Sequence, residues 1–155
     1  MVTVEEIPVG QIAGFWDRHI RYLTEDNIVT EEEEIAYFQS AEYRDTLKNH
    51  MLRKPDTHHM AYFVEGNQRI GAVQYTTFQS EDGKCFILDF WVFPAFRGNG
   101  TGHRCFLALQ AHTRADGAAY FALNCEREPA QRFWRSLGFV DDGIDAYGMP
   151  LMVKR

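Results

Sequence analysis

The sequence predicts an α+β fold of the α/β three-layer kind, a mixed central sheet with helices on its faces, in the order β-α-α-β-β-β-α-β-α-β-β. Three observations lead there. Apolar residues recur at helical spacing from Ile12 to Leu23, and a second helical stretch carries Ile35 to Leu52. From Thr57 the pattern changes to strands joined by short glycine-containing turns. Cys85 to Phe93 is nearly all apolar, as expected of a strand covered on both faces, and a glycine-rich turn and a helix follow it.

Val2 to Ile7 is a short β-branched strand. From Pro8 a helix places Ile12, Phe15, Trp16, His19, Ile20 and Leu23 on one side, and Thr24 to Asn27 ends it in a loop. A second helix is expected with Thr30 as N-cap and Glu31 to Glu34 in its first turn, where the helix dipole favours negative charge. It carries Ile35, Phe38, Leu47, Met51 and Leu52 and stops before Pro55. The four glutamates are thus a helix start rather than a binding patch. Met60 to Val64 and Arg69 to Thr77 form a hairpin around Gly66-Asn67. Glu81-Asp82-Gly83-Lys84 turns into the apolar strand Cys85 to Phe93. After the glycine turn at Arg97 to Gly102, a helix runs from about His103 to Ala115 and ends at Gly117. Tyr120 to Cys125 is a further buried strand. Pro129 suits the first turn of a short helix through Leu137, closed by Gly138. Phe139-Val140 and Tyr147 to Val153 supply terminal strands.

The 155 residues suit one domain spanning 1–155, long enough to bury roughly 70% of the unfolded surface. Hydrophobic residues at 45% and charged ones at 25% are ordinary globular composition and exclude disorder. No apolar run reaches about 18 residues, so no membrane-spanning helix is expected. The opening Met1-Val2-Thr3-Val4-Glu5-Glu6 does not read as a secretory leader. Sixteen Lys+Arg against 22 Asp+Glu give a net charge of −6, which argues against nucleic acid as a partner and is compatible with a cationic small molecule. Cys85, Cys105 and Cys125 are odd in number and lack a C-x-x-C pair, so neither a disulfide framework nor structural zinc is expected. That usage fits a reducing compartment, the cytoplasm. His58-His59 lies in a strand where neighbours face opposite ways, so no metal role is assigned to it.

Arg97-Gly98-Asn99-Gly100-Thr101-Gly102 joins an apolar strand to a helix. At such a junction the first helical N–H groups lack partners and the dipole adds positive potential. Glycine allows positive φ and close approach of an anion, and Arg97 and Arg104 can add charge-assisted contacts. A dinucleotide G-x-G-x-x-G fails, because from Gly98 the third glycine falls on His103, and from Gly100 it falls on Cys105. No P-loop is present. NAD and ATP are both demoted.

Arg97, Gly100 and Gly102 match the Gln/Arg-x-x-Gly-x-Gly/Ala signature of the GCN5-related N-acetyltransferase superfamily, and the stretch from Asp89 to Gly100 resembles its small-molecule acetyltransferases. Ala130 to Phe139, with Phe133-Trp134 and Gly138-Phe139, resembles the family's second signature. The element order agrees over nearly the whole chain. The resemblance implies the acyl-CoA N-acyltransferase fold and transfer of an acetyl group from acetyl-CoA to a primary amine of a small molecule, by direct attack through a tetrahedral intermediate and without metal. It places the coenzyme A pyrophosphate at Arg97, Gly98, Asn99, Gly100, Thr101 and Gly102, and the pantetheine arm along Trp91, Val92 and Phe93. Arg127 and Phe133 join the cofactor side, and the acceptor enters near Thr24 to Val29.

The chemistry needs a base, because an alkylamine with a pKa of about 10.4 is almost wholly protonated at pH 7. Asp89, the only acid within the apolar strand, is the first candidate, and Glu126 beyond the next strand is the alternative. Strand alternation sets Asp89 opposite Phe90 and Val92 unless a bulge intervenes. Relatives often place the acid one residue earlier, where this chain has Leu88. Two further positions depart from the family. Trp134 stands where many relatives have a tyrosine that protonates the leaving thiolate, and an indole N–H is no practical acid. Arg127 replaces a common asparagine. Solvent, Tyr147 or Cys125 is left to supply the proton. A non-catalytic acyl-CoA-binding module and an acetyltransferase for protein amines remain alternatives. Dimers are common among similar proteins, and the sequence leaves that state open.

Overall fold

Most changes of period in the sequence become element boundaries in the computed structural model, which describes residues 1–155. In chain order the elements are β1 (Thr3–Glu6), α1 (Ile12–Glu25), α2 (Glu32–Phe38), α3 (Ala41–Leu52), β2 (His58–Glu65), β3 (Gln68–Thr77), β4 (Lys84–Val92), α4 (Thr101–Arg114), β5 (Tyr120–Asn124), α5 (Glu128–Ser136), β6 (Val140–Ile144) and β7 (Pro150–Lys154). Gly66 and Asn67 close the β2–β3 hairpin with positive φ at both positions, 59° and 63°, as a two-residue turn of primed type requires.

The helix expected from Thr30 to before Pro55 is two helices, so three helices precede β2. Ser40 divides them. Its Oγ accepts from Tyr43 N–H at 3.2 Å and caps α3. The Phe38 carbonyl, which a continuous helix would give to residue 42, accepts instead from Trp16 Nε1–H at 2.5 Å. Glu31, not Thr30, occupies the N-cap of α2, and no side chain caps that end.

The seven strands form one sheet in the order β1-β2-β3-β4-β5-β7-β6, antiparallel except where β4 runs parallel to β5. Strand alternation divides the core into two layers. Met60, Tyr62, Ala72 and Trp91 face Ile12, Phe15 and Trp16 of α1 and Leu47 of α3. Ala61, Phe63, Val73 and Ile87 face Phe106 and Leu109 of α4 and Trp134 of α5. This is the three-layer α+β arrangement expected from the sequence. No helix is long and apolar enough to cross a membrane.

Two irregularities around β4 shape the site. Gln74 pairs with Asp89 and Tyr75 with Ile87, so Leu88 is an extra, bulged residue. Cys85 and Ile87 before the bulge and Phe90 after it all belong to the α4 layer, while Asp89 and Trp91 turn to the α1 side. The second irregularity is a divergence. Only Lys84, Cys85 and Phe86 pair with β5, against Tyr120, Phe121 and Ala122. Beyond them the two strands separate, and Cys125 N–H bonds to Pro150 O at 3.2 Å instead.

Candidate active site

Where β4 and β5 part, a cleft of about 580 Å³ opens, bounded by Ile87 to Phe90 on one wall and Leu123 to Arg127 on the other. Tyr22 of α1 and Asp26 and Ile28 of the loop after it close one side, and Trp134 of α5 lies on the other. A volume of this size suits a small organic ligand.

The end of β4 leaves its backbone open selectively. The Phe93 N–H donates to Ile70 O of β3 at 2.9 Å, so its neighbour Val92 is oriented the other way. The Val92 carbonyl accepts from Arg97 Nε–H at 2.9 Å. Of the three residues expected to carry a cofactor arm, Phe93 therefore has no free N–H, and its ring is buried under the Arg18 guanidinium at 3.7 Å. The Trp91 ring is likewise buried on the α1 side, stacked on Tyr22 with 4.8 Å between centroids and 8° between planes.

Beyond β4 the glycine turn has three successive residues at positive φ, Gly98 (92°), Asn99 (56°) and Gly100 (73°). Gly100 is the N-cap of α4, and Thr101 Oγ1–H donates to Gly98 O at 2.8 Å. The Gly102 and His103 N–H groups have no backbone acceptor. A Cβ on Gly98 would meet nothing within 4 Å, so that glycine serves the turn's conformation and leaves open space in front of it. A Cβ on Gly102 would lie 2.7 Å from Phe133 Cε1. Gly102 therefore lets α4 approach α5, and Phe133, expected on the cofactor side, packs beneath the start of α4 against His103. Arg104 reaches the turn through Asn99 O at 2.7 Å, but its charge is paired with Glu65 at 3.2 Å.

Asp89 stands on the cleft wall with its side chain a quarter exposed. Its Oδ2 accepts from Gln74 Nε2–H at 3.1 Å and lies 3.3 Å from His19 Nε2. Glu126 lines the opposite wall and is exposed. Arg127, the N-cap of α5, donates to Asn27 O at 2.9 Å, and Arg97 donates to Asp26 at 2.7 Å. Both arginines expected to meet the cofactor thus also hold the loop after α1.

Trp134 is buried, edge-on to Phe90 at 5.1 Å. Tyr147 does not replace the missing tyrosine, because its side chain projects into solvent from the β6–β7 turn, 92% exposed, outside the cleft. Cys125 lines the cleft, yet burial pushes its thiol above the ordinary range, which disfavours a thiolate. His58 and His59 do face opposite ways, His58 toward Gln74 and His59 toward Glu6 at 3.3 Å.

Three residues of the site escaped the sequence reading in this role: His19, Tyr22 and Gln74, whereas Asp26 lies in the loop Thr24 to Val29 expected on the acceptor side. For His19 a signal existed, a polar residue inside the buried stripe of a helix. Burial, and then the Asp89 and Asp26 carboxylates, push the Tyr22 phenol above its ordinary range, so it stays protonated.

A family profile described as the acetyltransferase (GNAT) family matches residues 8–139. No curated protein matches the sequence. Solved structures with the same fold include the PaiA N-acetyltransferase of Thermoplasma acidophilum in complex with coenzyme A, at 14% identity and TM-score 0.74 over 100% of this chain and 99% of that one. An acetyltransferase of Thermus thermophilus superposes with TM-score 0.73 at 12% identity, over 99% of this chain and 96% of its own. The N-acetylglutamate synthase of Neisseria gonorrhoeae, complexed with coenzyme A and N-acetyl-glutamate, gives TM-score 0.67 at 17% identity. There all of this chain matches 35% of the other.

Proposed function

Since the chain belongs to the acetyltransferase (GNAT) family, we propose that it uses acetyl-CoA to acetylate a primary amine of a small molecule, with residues 1–155 acting as one N-acetyltransferase domain. The observation that carries this is the cleft, which runs between the diverging strands β4 and β5, with the Asp89 carboxylate on its wall and the open glycine turn beyond β4.

The residues fit coenzyme A. Open space before Gly98 and the free N–H groups of Gly102 and His103 suit the pyrophosphate, with Arg97 beside them. The part of β4 beyond Phe86, which β5 does not pair, suits an amide-bearing arm, with the Val92 carbonyl already held by Arg97. Bound acetyl-CoA supplies the acetyl group as an activated thioester.

The chain's own groups then act on the acceptor. Asp26, Asp89 and Glu126 share the cleft, and three carboxylates favour a cationic amine. Asp89 takes a proton from the ammonium and frees the lone pair for attack. Glu126, exposed on the far wall, contributes charge. The protonated Tyr22 hydroxyl is a hydrogen-bond donor to the acceptor side, and too weak an acid for the thiolate. Solvent therefore protonates the leaving sulfur. The free thiols of Cys85, Cys105 and Cys125 support a reducing compartment such as the cytoplasm.

Thermal unfolding with acetyl-CoA, CoA and NAD⁺ at equal concentrations tests the cofactor. A ligand at about 100 times its Kd stabilises by about 2.7 kcal/mol, or roughly 5–10 °C for a domain of this size. A shift with both CoA species and none with NAD⁺ is expected. Absence of a shift with either CoA species overturns the assignment. Thiol release in the presence of primary amines then separates a catalyst from a binding module, and a shift without release favours the module.

A further inference from the structure

Behind the cleft wall lies a line of buried polar side chains that the cleft itself does not explain. His19, Gln74 and His58 are 1%, 1% and 5% exposed. Such groups cost stability unless their hydrogen bonds are satisfied in a defined way.

His58 begins the line. Its Nδ1 meets Thr76 Oγ1 at 3.2 Å and its Nε2 meets Gln74 Oε1 at 3.0 Å. Burial pushes the His58 imidazole down to about 4, so at neutral pH it carries one proton. An amide oxygen only accepts. His58 therefore donates Nε2–H to Gln74 and accepts the Thr76 hydroxyl proton at Nδ1. This orients the Gln74 amide with its NH₂ toward the cleft, where Nε2 lies 3.1 Å from Asp89 Oδ2 and 3.2 Å from His19 Nε2.

The third side of this triangle, His19 Nε2 to Asp89 Oδ2, is 3.3 Å. Two lone pairs facing each other at that distance would repel, so a proton belongs on His19 Nε2. The 3.2 Å side between Gln74 Nε2 and His19 Nε2 then separates two donors that share Asp89 Oδ2 rather than forming a hydrogen bond of its own. The other ring nitrogen agrees. His19 Nδ1 is buried without a partner, and an orphaned N–H is rarer in proteins than an under-satisfied acceptor. The ring is also held in place, packed against Trp16 and Trp91 with 4.7 Å between centroids in each case.

We infer that His19 is a positioning residue for acetyl transfer: its Nε2–H, together with the Gln74 amide, pins Asp89 Oδ2 and leaves Oδ1 for the proton of the acceptor ammonium. The inference rests on Asp89 being the proton acceptor proposed above. Oδ1 accepts no protein hydrogen bond, whereas Oδ2 meets both partners. In the step itself an ammonium N–H bond breaks, its electron pair stays on nitrogen, and an O–H bond forms at Oδ1. Water at the open cleft later removes that proton. No proton passes to His19, which touches no substrate.

Two variants and one spectrum test this. His19→Phe keeps a ring between Trp16 and Trp91 and removes both nitrogens. His19→Gln keeps an N–H donor near the position of Nε2. Acetyl transfer is measured as thiol release from acetyl-CoA with whichever of putrescine, spermidine and tyramine is the fastest acceptor. His19→Phe should lower kcat about 10- to 100-fold with the KM for acetyl-CoA essentially unchanged, and His19→Gln should recover most of the loss. Equal losses in the two variants, or a rise in KM alone, would mean a packing role and overturn the inference. Asp89→Asn separates the two readings. If it keeps wild-type kcat, the proton-acceptor reading falls and this inference with it. If it loses kcat while His19→Phe does not, only this inference falls. Nitrogen NMR of the histidine side chains needs no acceptor. The Nε2–H tautomer of His19, with a signal that moves in Asp89→Asn, supports the inference, and the Nδ1–H tautomer overturns it.

Discussion

Arg97 donates to Asp26 at 2.7 Å, joining the first residue of the glycine turn to the loop that follows α1. The same guanidinium bonds the Val92 carbonyl at the open edge of β4. One side chain therefore links the glycine turn, the strand edge and the loop after α1. Both partners are partly exposed, so the pair itself contributes little to stability. Its consequence is for binding. Asp26→Asn removes a carboxylate that competes with phosphate for Arg97 and should tighten CoA binding about two- to five-fold. Arg97→Ala should weaken it about ten-fold, with the loss shrinking at high salt. Calorimetric titration at two ionic strengths checks both directions.

Of the three cleft carboxylates, Asp89 and Glu126 should differ in their effect on turnover. Asp89→Asn is expected to lower kcat by about 10²- to 10⁴-fold, the range for loss of a general base. Glu126→Gln, on the exposed far wall, should change kcat by less than about ten-fold. Coenzyme A should still raise the unfolding temperature of both variants. Thiol-release kinetics on the two proteins decide the order.

His58 makes stability fall in mild acid. Its folded pKa is depressed by burial to about 4, against about 6.5 in the unfolded chain. Between those values the unfolded state holds the extra proton, so stability is complete above about pH 6.5 and declines as pH drops toward 4. The full effect is about 3 kcal/mol. His58→Gln should flatten the slope in that window, while below pH 4 both proteins should lose stability together. Urea unfolding at pH 7, 5.5 and 4 measures it.

Ser40 should act as the cap that divides α2 from α3. Ser40→Ala removes the acceptor for Tyr43 N–H and should cost about 1 kcal/mol, with Ser40→Gly costing only a few tenths. Chemical denaturation of the three proteins tests this, and an unchanged midpoint for Ser40→Ala would argue against the cap.

Much of the fold was written in local pattern. The two-residue turn at Gly66-Asn67, the apolar run of β4, the turn from Gly98 to Gly100 and the Pro129-to-Gly138 bounds of α5 depend on neighbouring residues alone. Backbone preference and short-range periodicity suffice to read such features. The division at Ser40 was not legible, because it depends on Trp16 claiming the Phe38 carbonyl from 22 residues away.

For the site, the sequence by itself determined the glycine turn, the candidate carboxylates Asp89 and Glu126, and the absence of the usual tyrosine at Trp134. Tertiary structure alone decided what surrounds Asp89. The bulge at Leu88 is a matter of register between two strands, and it turns Asp89 toward α1. Once there, Asp89 meets Gln74, 15 residues away, and Gln74 meets His19, 55 residues away. Tyr147 shows the converse, since it follows the matching helix in sequence yet points into solvent. Local sequence sets each residue's chemistry and backbone preference, whereas register and packing between distant segments set which groups meet. The proposed proton acceptor and its partners depend on the second of these.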